Sequence, residues 1–360
     1  MAATPHIVVT LTAHGYGHVA QTAPILNALQ QHLPNLRISL FSDIATEYLK
    51  RRIHAPFEQY KITLDVGLLM DDQIKPRLTE SHHAYQHFHQ QWQNKLNQLT
   101  DHFKTLRPDL LLSNVAYLPI VAAKQLNIPS IALCSLNWAD IYQHCCAHFS
   151  NADQIHQQIV QAYQQSTHFL KPKPSMPMDC ITHSQYISPI TNLGKYRRIE
   201  INQHLNISPQ KKLIVVGLGG INSRFDLQPW PKNPDYHWLV PENWLNPQAN
   251  MSSVEPCPFS FIDLLASADL LISKPGYGSF SEAACNATPC LYLERDEWPE
   301  SLYLERWLQQ HGVAEKMSYA EFTLGTFEQK ITNLLKKQPP PTAQANGVEE
   351  ALALLLPYLE

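Results

Sequence analysis

The sequence predicts an α/β chain made of two doubly wound halves, and three observations carry that expectation. Short apolar, β-branched runs alternate with segments of helical spacing, which is how parallel sheets flanked by helices are written. The alternation runs to about residue 190 and then begins again. Seven of the 12 glycines, at 15, 17, 217, 219, 220, 276 and 278, fall in three clusters, each at the end of such a run or just after it. A chain of 360 residues also exceeds one ordinary core and suits two domains.

The elements follow in order. His6 to Leu11 reads as a buried strand, and after a glycine turn Ala20 to Leu33 reads as a helix stopped by Pro34. Leu36 to Phe41 is the next strand. A second strand–helix unit is expected at Asp109 to Ser113 and Pro119 to Leu126, followed by a strand at Ser130 to Cys134. The proline-rich 171–177 reads as a surface connection near the hinge between the halves. In the second half, strands are expected at Lys212–Gly217, Asp269–Ser273 and Pro289–Leu293, with a helix starting at Ser279. Val348 to Tyr358 has apolar residues at helical spacing and is expected to dock on the body. The resulting division is 1–188, 189–335 and a C-terminal helical segment 336–360.

Composition excludes several classes. Apolar residues make up 44% and charged residues 16%, a globular balance rather than a disordered one. A net charge of −4 advertises no basic surface for nucleic acid. Seven cysteines without metal spacing are expected to be reduced thiols. The N-terminus has no signal-peptide pattern and no run reaches the ~20 apolar residues of a membrane span, so a cytoplasmic protein without an integral membrane segment is expected. His82, His83, His87 and His89 lie close together, but no acid or cysteine completes a metal set beside them, and a polar helix face is the expected reading. No cofactor and no metal are expected.

The chemistry is expected at the glycine clusters. In Lys274-Pro275-Gly276-Tyr277-Gly278-Ser279-Phe280-Ser281-Glu282, a strand ends, the chain turns and a helix starts. The first turn of a helix offers unpaired N–H groups and partial positive charge, glycine lets a ligand approach the backbone, and Ser279 adds a hydroxyl. These are the requirements for holding a phosphate or diphosphate. Lys274 can pair with the phosphate charge, and Glu282, one turn on, can accept from ribose hydroxyls. The spacing by itself fits equally a turn that needs glycine for its own backbone. Gly219 and Gly220 follow the Lys212–Gly217 strand and are further donor-side candidates, and His14-Gly15-Tyr16-Gly17-His18 follows the first strand.

Lys274-x-Gly276-Tyr277-Gly278-Ser279-x-x-Glu282 resembles the nucleotide-sugar signature of GT-B glycosyltransferases, and Gly15-Tyr16-Gly17-His18 resembles the Gly-x-Gly-His turn after their first strand. The chain is also similar to the glycosyltransferase-like N-terminal half of plant-type arabinokinases and its stand-alone bacterial relatives. With these it shares His14-Gly15-x-Gly17-His18, Asn137-Trp138-x-Asp140-Ile141-Tyr142, the Lys274–Glu282 stretch and Arg295-Asp296. The resemblance implies two Rossmann-like domains facing each other across a cleft, a nucleotide-diphosphate-sugar donor, first of all a UDP-sugar, and a small-molecule or lipid-linked hydroxyl acceptor. It implies metal-independent transfer with His18 as general base and His14 as its understudy. Gly15, Tyr16, Gly17, Asn114 and Trp138 are then on the acceptor side.

Two departures from the pattern matter. The aspartate that orients the histidine in plant relatives is replaced by Asn114, so Asp140 is expected to stand in for it. The acid–glutamine pair that holds the donor sugar reads Glu300-Ser301 here, which keeps Glu300 and loses the glutamine. A non-catalytic nucleotide-sugar-binding protein and a UDP-sugar epimerase-like isomerase are the alternatives.

Overall fold

A computed structural model describes residues 4–71, 75–218, 225–244, 250–255 and 257–360. The chain divides into two compact units, one formed by residues 1–190 with 346–360 and the other by residues 191–345.

In the first unit the strands are β1 (His6–Leu11), β2 (Arg37–Phe41), β3 (Glu58–Tyr60), β4 (Met70–Asp71), β5 (Lys75–Pro76), β6 (Leu110–Asn114), β7 (Ser130–Leu133), β8 (His168–Pro172) and β9 (Ser184–Ile187). Seven of them make one parallel sheet in the order β3-β2-β1-β6-β7-β8-β9, while β4 and β5 pair antiparallel with each other. In the second unit β10 (Lys212–Gly217), β11 (Tyr236–Val240), β12 (Met251–Ser253), β13 (Leu270–Ser273), β14 (Cys290–Leu293) and β15 (Ala314–Met317) form a parallel sheet in the order β12-β11-β10-β13-β14-β15. In each sheet the first strand lies centrally and the order reverses beside it, so both carry a topological switch point at the carboxyl ends of their central strands.

Burial on both sheet faces explains why the central strands are mostly apolar. Ile7, Val9 and Leu11 of β1 pack into one core with Val19, Ala23, Leu26 and Leu29 of the helix Tyr16–His32. Each such large side chain contributes roughly 1.5–3 kcal/mol by leaving water. The second sheet is covered by two cores, one of them rich in aromatics around Trp230, Trp238, Phe322 and Phe327.

Three expectations need adjustment. The first helix begins at Tyr16 rather than Ala20, and its counterpart in the second unit spans Tyr277–Cys285 rather than starting at Ser279. In both, the glycine just ahead of the helix, Gly15 or Gly276, is extended and hands the chain straight into the first turn. Residues 171–177 do not join the two units. Lys171 and Pro172 end β8 and pair with Tyr186 and Ile187 of β9, so the prolines serve inside the first unit. The segment Gly347–Leu355 packs on β9 and on the helix Tyr16–His32, and Ser188 fastens it by donating from N (2.8 Å) and Oγ (2.6 Å) to the Glu350 carboxylate. No helix of the described residues is long and apolar enough to cross a membrane.

Candidate functional site

The sequence motifs fall at the two switch points. In the first unit Leu11 is in register with Asn114, so the turn 12–18 leaves β1 beside the end of β6. In the second, Gly217 is in register with Ser273, and Ser273 Oγ donates to the Gly217 carbonyl at 2.8 Å. Lys274 and the glycine turn therefore leave β13 next to the end of β10. Gly219 and Gly220 lie outside the described residues.

His18 is buried, and a chain of hydrogen bonds fixes its tautomer. Gln21 Nε2 donates to Ser135 Oγ at 2.8 Å, which turns its carbonyl oxygen toward Asn114. Asn114 Nδ2 then donates to Gln21 Oε1 (3.1 Å) and Thr22 Oγ1 (3.0 Å), which leaves Asn114 Oδ1 to accept from His18 Nδ1 at 2.9 Å. With the proton on Nδ1, Nε2 carries the lone pair that a base needs. Burial lowers the pKa of His18 to about 4, against a smaller opposing effect of the Asn114 bond, so the ring is neutral at physiological pH.

Asp140 is engaged elsewhere. Its carboxylate accepts from Asn137 Nδ2 at 3.0 Å and from the Cys180 thiol at 3.1 Å, and its backbone N–H is capped by Asn137 Oδ1 at 2.8 Å. It serves the start of the helix Trp138–Cys146. The residue on the His18 ring is Asn114, which corrects the expectation that Asp140 stands in for the missing aspartate.

The remaining acceptor-side candidates gather around Trp138. Its indole meets the His14 ring edge-on, with centroids 5.0 Å apart, and lies 6.2 Å from the His18 ring. Tyr16 is exposed and stacks on Tyr48 at 3.9 Å. An unforeseen acid joins this group. Asp65 accepts from Thr12 Oγ1 and from Trp138 Nε1, both at 2.8 Å. Burial pushes its carboxyl up to about 6, opposed by those two bonds. No motif contains Asp65. The one signal was an acid set between apolar Leu64 and Val66.

In the second unit, Lys274 is half-buried and its pKa falls to about 8, first through burial and then through the positive charge of Arg295. Arg295 lies over the Trp298 ring, 4.8 Å from its centroid, and Trp298 Nε1 donates to buried Glu300 at 3.2 Å. Lys274 thus feels a second positive charge, and it leads into the helix Tyr277–Cys285, whose first turn has no acidic residue and no side-chain cap. Tyr277 is buried, Ser281 Oγ bonds back to the Tyr277 carbonyl at 2.8 Å, and Gly278, Ser279 and Glu282 lie half-buried along the same helix. Ser301, buried where the pattern expects glutamine, opens the next helix. Arg295 belongs to the shared Arg295-Asp296 pair, yet nothing in its spacing assigned it to Lys274. Asp296 is instead paired with Lys316 at 2.9 Å.

The glycines themselves separate packing needs from ligand access. A Cβ added at Gly15 or Gly17 would meet nothing within 4 Å, and one at Gly276 only the Lys274 carbonyl at 3.9 Å. Gly67, by contrast, has φ +65 and faces the His14 ring, with Nδ1 2.6 Å from where its Cβ would be. Neither backbone conformation nor neighbouring protein requires glycine at 15, 17 or 276. Those turns are open on that side among the described residues.

Among the described residues no group of three or more His, Cys, Asp or Glu is arranged to hold a metal ion. Two of the clustered histidines bond within the protein, His82 to the Tyr142 hydroxyl at 2.8 Å and His89 to Gln158 at 2.8 Å.

Known structures of this architecture are close over the whole chain. A glycosyltransferase of kitacinnamycin matches with a TM-score of 0.63 and 15% identity, covering 99% of this chain and 100% of the other. The chain has the GT-B fold. A UDP-GlcNAc 2-epimerase from Neisseria meningitidis, bound to UDP-GlcNAc, shares it with a TM-score of 0.57 and 15% identity over 98% of this chain and 100% of its own. In sequence, the chain is 21% identical over 374 residues to an L-arabinokinase of Arabidopsis thaliana, covering 98% of this chain and 34% of that protein. It therefore spans about a third of that relative's length. No family model matches the chain.

Proposed function

We propose that the chain is a glycosyltransferase that moves a sugar from a nucleotide-diphosphate sugar, first of all a UDP-sugar, to a hydroxyl acceptor without a metal ion. The observation that carries this reading is the pair of helix starts without a side-chain cap at the two switch points, each entered through a glycine with open space where a side chain would stand. The second of them follows Lys274, which feels the charge of Arg295. That combination suits a diphosphate, whose charge is met by N–H groups and fixed cations. Glu282 takes the ribose hydroxyls, and Glu300, steadied by Trp298, takes hydroxyls of the donor sugar.

In this reading each group has one step. His18 Nε2 removes the acceptor hydroxyl proton while Nδ1–H stays bonded to Asn114. The acceptor oxygen forms a bond to the anomeric carbon as the bond from that carbon to the diphosphate oxygen breaks. The charge left on the nucleoside diphosphate is stabilised by the Gly276–Ser279 turn, Lys274 and Arg295, as preorganised donors stabilise any charge that develops in a reaction. The acceptor, small or lipid-linked, brings only its hydroxyl to this step.

A panel of UDP-, GDP-, dTDP- and ADP-sugars tests the reading by thermal shift and product analysis. A donor at 100 times its Kd adds ~2.7 kcal/mol of stability. A shift followed by transfer or by release of nucleoside diphosphate supports the proposal. A shift without turnover makes the chain a binding protein, and conversion of UDP-GlcNAc to an epimer without acceptor makes it an isomerase. Absence of any shift across the panel overturns the reading.

A further inference from the structure

One carboxylate of the first unit has no part in the reaction just described. Asp65 lies between β3 and β4 and is 8% exposed. Its two oxygens are approached from two different elements: Thr12 Oγ1 donates to Oδ1 and Trp138 Nε1 donates to Oδ2, both at 2.8 Å. Thr12 stands at the entrance of the first glycine turn, and its hydroxyl also accepts from the His14 backbone N–H at 3.4 Å. Trp138 opens the helix Trp138–Cys146, and its indole meets the ring of His14 edge-on at 5.0 Å and that of His18 at 6.2 Å. Two residues past Asp65, Gly67 adopts φ +65, and the His14 ring occupies the space beside it that a side chain would need.

We infer that Asp65 is the positioning carboxylate of the first glycine turn, holding Trp138 and Thr12 so that the rings of His14 and His18 each keep one orientation. The indole has a single donor, and in a buried place only a fixed acceptor determines which way that donor points. A carboxylate accepts more strongly than a neutral oxygen, so it can anchor the indole and the hydroxyl at once. Asn114 sets the tautomer of His18, and Asp65 sets the Trp138 ring, which lies 5.0 Å from that of His14 and 6.2 Å from that of His18. This rests on the reading of the turn as the acceptor side of a transferase, but the ring orientations can be measured without any substrate.

The test compares imidazole and indole nitrogen–proton spectra of the full chain with those of Asp65→Asn, Thr12→Val and Thr12→Ser, all free of ligand. In Asp65→Asn the Trp138 indole proton should move upfield and the ring signals of both His14 and His18 should shift. Thr12→Val should move the His14 signals, and Thr12→Ser, which keeps the hydroxyl, should restore the native spectrum. With UDP-glucose as the donor probe, turnover in Asp65→Asn should fall ~10²-fold, the usual effect of a misplaced reacting group, with the Kd for UDP unchanged. Histidine signals in folded Asp65→Asn that coincide with the native ones overturn the inference. If that variant does not fold, unchanged His14 signals in Thr12→Val overturn it instead. A native protein silent toward every nucleotide sugar counts against the transferase reading alone, because the ligand-free spectra still decide the role of Asp65.

Discussion

Asn114 Oδ1 lies 2.9 Å from His18 Nδ1, in the place where the resemblance expects a carboxylate. The amide holds the ring and its tautomer but does not balance the charge of an imidazolium. Asn114→Ala leaves a buried N–H without its acceptor and should slow transfer by ~10²-fold, within the range for a misused general base. Asn114→Asp should raise the His18 pKa above its value of about 4 and increase the rate. Asp140→Asn should have little effect, since its carboxylate serves Asn137 and Cys180. Steady-state rates for the three variants, with His18 titrated by NMR, check the ordering. A stronger effect from Asp140→Asn than from Asn114→Ala would reverse it.

Glu282→Ala should weaken nucleotide binding by ~1.5–3 kcal/mol for each hydrogen bond lost to a charged acceptor. Isothermal calorimetry with UDP is the measurement, and an unchanged Kd would remove Glu282 from the ribose.

Gly17→Ala separates access from stability. The residue lies in the helix Tyr16–His32 with nothing within 4 Å of an added Cβ, so the folded protein should gain roughly 0.5–1 kcal/mol from the better helix former. Transfer should nevertheless fall, because the new methyl occupies the open side of the turn. Gly67→Ala should instead lower the melting temperature, since φ +65 and the His14 ring both oppose it. A Gly17→Ala protein that melts lower than native, with full activity, would contradict this division.

Two buried groups of the first unit give stability opposite slopes with pH. His18 is lowered from 6.5 to about 4, so its contribution is intact above pH 6.5 and is lost as the pH falls toward 4. Asp65 is raised from 3.8 to about 6, so its contribution is intact below 3.8 and is lost as the pH rises through 6. Each amounts to about 3 kcal/mol, and over pH 4 to 6.5 they nearly cancel. Tyr85, Tyr117 and Tyr163, which face Asp65, are pushed further above 10 and do not titrate there. Asp65→Asn removes one slope and should make the protein about 3 kcal/mol more acid-sensitive than native across this window. His237, also lowered to about 4, is common to both proteins and drops out of the difference. Urea unfolding at pH 4 to 7 measures it, and parallel curves for the two proteins would refute the assignment.

The sheets were legible because strands buried on both faces must be apolar, as in β1, β6, β10 and β13. Two others were not: the edge strand β3 is Glu58-Gln59-Tyr60, and β8, one in from the opposite edge, carries Lys171 and Pro172, which mark a loop until the register with β9 is known. The glycine turns could be placed because a turn and its chemistry are neighbours in sequence. Asp65 could not, as its partners Thr12 and Trp138 lie 53 and 73 residues away. The same distance effect hid the electrostatic pairing of Arg295 with Lys274 and led from a nearby acid, Asp140, to an orienting role that Asn114 fills.

The first unit closes only with residues 346–360, while the second is continuous in sequence. During synthesis, the early part of the first unit therefore waits for its own later strip, residues 346–360. Until the strip with Ala351, Leu352 and Leu355 arrives, part of the surface formed by Leu26, Ile187 and Ile190 stays uncovered on the nascent chain. The second unit, made in between, has its whole core in hand as it leaves the ribosome. Protection of the early half by a chaperone should be needed for the time taken to translate the roughly 155 intervening residues, about 8–30 s at ordinary elongation rates.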